Sequence, residues 1–170
     1  MNKHLNITLF LLMSLLGACM SVEEDITHNH AYHTNYVAGR TYRTKQPAFV
    51  QVLDQQRVLR AGGSGDARVP PTVESYWRTG REAWPEIVGI LEAGTKLRID
   101  RIIRTYNGEV GNTFYVFAKV MDGPNRGLEV DLSMISLEYR QKDPVADVPV
   151  SDPNMVEEVE ESEGNQMLQP

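Results

Sequence analysis

Apolar and polar residues alternate along much of the middle of this chain, and a period of two is the spacing of half-buried β-strands. Thr95-Lys96-Leu97-Arg98-Ile99-Asp100 sets Leu97 and Ile99 against Lys96, Arg98 and Asp100, and Leu128-Glu129-Val130-Asp131-Leu132 repeats the pattern. Residues 114–120 are dense in aromatic and β-branched side chains, which suit a pleated surface. Residues 39–44 and 48–53 supply two more strands. Turn residues fall between these runs, at Glu92-Ala93-Gly94, Asn107-Gly108, Gly111-Asn112 and Asp122-Gly123. Some five short strands in about 100 residues, without a convincing amphipathic helix, predict a mainly β domain over residues 35–140, a small barrel or sandwich.

The segment Ile87-Val88-Gly89-Ile90-Leu91-Glu92-Ala93-Gly94-Thr95-Lys96-Leu97-Arg98-Ile99 resembles the strand, leucine-x-x-glycine-threonine turn and strand of bacterial SH3-like barrels. Tyr115-Val116 through Asp122-Gly123 to Gly127-Leu128-Glu129-Val130 resembles the hairpin that follows, and Ser133-Met134-Ile135 the closing turn. The resemblance covers about residues 86–137 and implies an SH3-like barrel. Two departures stand against it: residues 60–85 form a far longer insertion than those domains carry, and Leu128 stands near the position of an expected tryptophan.

The N-terminus has a different pattern. One lysine, Lys3, precedes an apolar run of 12 residues from Leu5 to Leu16, which suits a signal peptide over residues 1–18 and is short of the ~20 residues a membrane-spanning helix needs. The run ends in Leu16-Gly17-Ala18-Cys19, which resembles the lipobox of bacterial lipoproteins. The resemblance implies cleavage before Cys19 and diacylglyceryl transfer to its thiol, which makes lipid the membrane anchor. Met20-Ser21 carries no aspartate of the inner-membrane retention kind, so the expected location is the outer membrane, facing the periplasm. Cys19 is the only cysteine, so no internal disulfide can form.

Charge divides the remainder. The net charge of the whole chain is −6, and the acidity collects in residues 141–170, with four prolines and the run Glu157-Glu158-Val159-Glu160-Glu161. That composition predicts a disordered acidic tail. Residues 35–140 are mildly basic, with Arg98, Arg101 and Arg104 recurring along one strand. Residues 19–34 read as a flexible tether.

Both tryptophans lie in the long loop of residues 61–84, with Tyr76, Trp77, Arg78, Arg81 and Trp84 close together in sequence. Loops of this length are uncommon unless functional, and Trp and Tyr are frequent binding anchors. Two readings follow: an aromatic and basic surface for an envelope protein or peptidoglycan, or rings that close one end of a barrel. Gly62-Gly63-Ser64-Gly65 lacks the lysine and βαβ setting of a phosphate loop.

The remaining histidines, His28, His30 and His33, crowd the tether, and imidazoles at that density can gather Zn²⁺, Cu²⁺ or Ni²⁺. Periplasmic metal capture is therefore the alternative function. No catalytic constellation and no cofactor are implied. The acidic strand residues Asp100, Glu129 and Asp131 read as a solvent face. An exported chain has no nucleic-acid partner.

Overall fold

The computed structural model describes residues 21–108 and 111–159. The expected signal peptide and Cys19 lie outside them, as do residues 160–170. In chain order the strands are β1 (Val22–Asp25), β2 (Thr41–Thr44), β3 (Ala48–Leu53), β4 (Gln56–Ala61), β5 (Ile87–Leu91) and β6 (Lys96–Asn107). There follow β7 (Gly111–Val120), β8 (Glu129–Asp131), β9 (Ser136–Lys142), β10 (Val145–Ser151) and β11 (Val156–Glu158). One α-helix, α1 (Val73–Thr79), interrupts them between β4 and β5.

The main sheet has the order β11-β2-β6-β7-β8-β4-β3-β5, with β1 also on β6, while β9 and β10 form a separate hairpin. All pairings are antiparallel except β4 with β8, so the main sheet is mixed. The path ends at β11 and β5 without closing, and the expected closed barrel is not what forms.

The longest strand, β6, shows how sequence sets the geometry. Leu97 and Ile99 face the core, but the alternation breaks at Asp100-Arg101, after which Ile102 and Ile103 are both buried. The pairing with β7 shifts register between Ile99 and Arg101. A bulge there absorbs one residue and returns an isoleucine to the inner face. The strand is long enough to serve two neighbours on one edge: Thr41–Arg43 pair with its first part, and β1 pairs with Ile103–Tyr106. The main core gathers Val50, Leu59, Leu97, Ile99, Ile102, Val116, Val130 and Leu132, and a smaller cluster holds Phe49, Val69, Tyr76 and Ile87.

Two expectations are overturned. Residues 21–34 are not a flexible tether: β1 joins the sheet, Ile26 is buried in the core, and the Tyr32 ring meets Phe114 edge-on at 5.4 Å. Nor are residues 141–159 a disordered tail, because β10, β11 and the turn between them place Ala146, Val148, Met155 and Val156 in the same core. The prolines and acidic residues concealed a sparse apolar set sufficient for edge strands. The acidic residues also have partners: Glu157 accepts a 3.0 Å hydrogen bond from Arg43 Nε, and Glu158 pairs with Arg40.

Candidate functional site

The insertion between β4 and β5 is built rather than loose. Gly62 follows β4, and a side chain there would come within 2.7 Å of the Pro71 carbonyl oxygen, so glycine lets the two ends of the loop touch. Asp66 ties the bend: its carboxylate accepts from Arg60 at 2.9 Å and from Arg68 at 3.0 Å. Hydrogen bonding from Arg68 holds the Asp66 carboxyl below its ordinary value.

Thr72 then caps α1. Its hydroxyl accepts from the Ser75 backbone N–H at 3.0 Å, while the Thr72 N–H donates to the Ser75 hydroxyl at 3.1 Å. This reciprocal arrangement occupies backbone groups that a helix start leaves unpaired. Gly80 stops the helix with φ +82°, a conformation that favours glycine. Beyond it, Trp84 Nε1–H donates to the Thr79 hydroxyl at 2.8 Å, which folds the chain back onto the helix end.

The five residues expected to form one surface therefore separate. Tyr76 is buried, 6.1 Å from the Phe49 ring, and Trp84 packs against the same small cluster. Both hold the insertion on the sheet. Trp77 differs: it is 70 % exposed, and its only aromatic partner among the described residues is Tyr76, edge-on at 5.0 Å. Arg78 and Arg81 are exposed beside it in sequence, without an ion pair among the described residues.

Elsewhere the expected chemistry is dispersed. His28, His30 and His33 are all exposed, and among the described residues no three His, Cys, Asp or Glu side chains come together as a metal set. The His33 N–H donates to Gln141 Oε1 at 2.8 Å, so this stretch is fastened to β9. The basic stripe on β6 is largely compensated. Arg101 forms two hydrogen bonds to Glu129, at 2.8 and 2.9 Å, and lies 4.5 Å from the centre of the Phe117 ring. Arg104 meets Glu24 at 2.8 Å.

Asp131 was expected on the solvent face and is instead 1 % exposed. It accepts from the Val116 and Ser133 N–H groups, each at 3.0 Å, from the Ser133 hydroxyl at 2.6 Å and from Gln56 at 3.2 Å. Desolvation pushes its carboxyl above the ordinary value, against the pull of these donors. The one sequence signal for this role is the Asp-x-Ser spacing before a turn, where a short carboxylate can accept from the backbone two residues on. A serine and a carboxylate so joined lack a histidine; Asp131 organises the turn between β8 and β9.

Among the described residues, two of the surface hollows have volumes of about 270 Å³ each. One is lined by Asp54, Gln55, Gln56, Arg57, Phe117 and Glu129. The other runs between the start of β7 and the β9–β10 hairpin, among Asn112, Phe114, Met134, Leu137, Glu138 and Pro149. Both fall below the ~300 Å³ at which small-molecule pockets usually begin. Comparison of the chain with family models, with curated proteins and with solved structures gave no match.

Proposed function

We propose that the chain is a bacterial envelope lipoprotein, acylated on Cys19 and held at the outer membrane, whose mainly β module binds another envelope component without catalysis. That component is a protein or peptidoglycan. The observation that carries the binding role is Trp77, an indole held mostly in water by a helix capped at both ends. Leaving so large an apolar side chain exposed on an ordered scaffold has no packing benefit, whereas a rigid aromatic with arginines close by is the usual composition of a binding anchor. Export and anchoring rest on the resemblance of residues 16–19 to a lipobox. An SH3-like organisation of about residues 86–137 belongs to the same reading, supported by the strand at Ile87–Leu91 and the 3-10 turn at Ser133–Ile135.

Crosslinking in whole cells tests the surface. Trp77→Ala, alone or with Arg81→Ala, should lose partners that the unsubstituted chain captures, and Trp77→Phe should keep most of them. Because Trp77 is exposed, its replacement by alanine should change folding stability by no more than about 0.5 kcal/mol, which urea titration checks. Equal capture by the alanine variant refutes the binding surface. Globomycin should make a precursor accumulate, and failure to do so refutes the anchor.

A further inference from the structure

The inner face of β6 and β7 changes character along its length. At Ile102 and Val116 it is fully buried. One step on, Arg104 lies between Phe114, its partner on β7, and Glu24, its partner on β1, and its guanidinium sits 5.5 Å from the centre of the Tyr32 ring. One step further are Tyr106, Val22 and Asn112, again in register across the three strands. Here the face is open: Val22 is 59 % exposed and Tyr106 45 %. Asn112 also borders the groove that holds Met134 and Leu137, themselves 54 % and 48 % exposed. One end of the molecule thus presents a run of uncovered apolar side chains in which tyrosine supplies an amphipathic ring.

That end is also where the chain arrives from Cys19. Val22 stands three residues after Cys19 in the sequence, a stretch whose reach is at most about 11 Å at ~3.6 Å per residue. β1 runs antiparallel to β6, so from Val22 onward the chain leads away from the β6–β7 turn. We propose that the apolar end formed by Val22, Tyr106, Met134 and Leu137 rests on the phospholipid surface in which Cys19 is anchored, so that the module stands on the membrane with β6 and β7 rising from it. This deepens the lipoprotein reading and depends on it. Aromatic residues favour the level of the headgroups, and a slack tether would have left this face free to point anywhere. Among the described residues the flanking charges are Glu23, Glu24 compensated by Arg104, Glu138, and Asp147 paired with Arg140, with no basic cluster of the kind that seeks anionic lipid. The surface is therefore zwitterionic phospholipid.

Cys19 is the only cysteine of the full-length chain, and acylation blocks it, so a nitroxide reports only from an introduced thiol. Tyr106→Cys and Met134→Cys place labels at the proposed contact, and Lys119→Cys, an exposed residue toward the other end of β7, serves as the reference. In phosphatidylcholine vesicles, the labels at 106 and 134 should lose accessibility to a water-soluble nickel chelate and gain it to oxygen, while 119 stays open to the chelate. The mass of the same preparation reports the acyl chains. Acylated protein whose labels at 106 and 134 are as accessible to the chelate as 119 overturns the contact and leaves the anchor standing. Protein without acyl mass overturns both.

Discussion

Asp131 is the residue whose surroundings make the sharpest demand. Its burial holds the carboxyl above the ordinary value of 3.8, so the native state binds that proton more tightly than the unfolded chain does. Asp131 therefore favours the fold at pH below 3.8, and that contribution is lost as the pH rises through the raised value. Asp131→Asn, which does not titrate, should remove this decline, as urea titrations at a series of pH values would show. Asp131→Ala should cost about 1 to 3 kcal/mol below pH 3.8 and less as the pH rises, because it leaves the N–H groups of Val116 and Ser133 without an acceptor. Glu157 has the opposite sign: Arg43 holds its carboxyl below 4.5, so what it contributes is present above that value and fades as the solution becomes more acidic than the lowered one.

At the scale of elements, the two ends of the described chain matter more than their composition suggests. Removing residues 145–170 deletes β10 and β11 together with the fully buried Val148 and Val156. The truncated chain should lose cooperative unfolding, as monitored by near-ultraviolet circular dichroism, whereas a chain ending at 159 should keep it. Ile26→Ala should cost about 2 to 5 kcal/mol, the usual penalty for a core cavity. The central strands were legible because their alternation is strong: Leu97, Ile99, Val116 and Ala118 announce a buried face on their own. β1 and β11 were not, because each draws its stability from long-range pairing while its local sequence is acidic, and β10 was not because Pro149 interrupts a strand that pairs with its neighbour β9. α1 was hidden for a related reason. Seven residues give too little periodicity to see, and its evidence lies in the cap Thr72-x-x-Ser75 and the stop at Gly80. Of the candidate surface, only packing separates the buried Tyr76 and half-buried Trp84 from the exposed Trp77.

For the whole molecule, the division into a basic domain and an acidic tail dissolves. Arg40 and Arg43 meet Glu158 and Glu157, and Arg104 meets Glu24, so both ends of the described chain compensate charge on the central strands. No helix among the described residues is long and apolar enough to cross a membrane. The shared edge of β6 has one more consequence. Glu24 must find Arg104 80 positions later, and Glu157 must find Arg43 114 positions earlier. A sheet stitched from such distant segments has a high contact order and folds slowly. On the export reading this is useful: a chain that cannot complete its central sheet until nearly all of it has been synthesised stays extended enough to be threaded through a translocation channel, and acquires its final shape only on the far side.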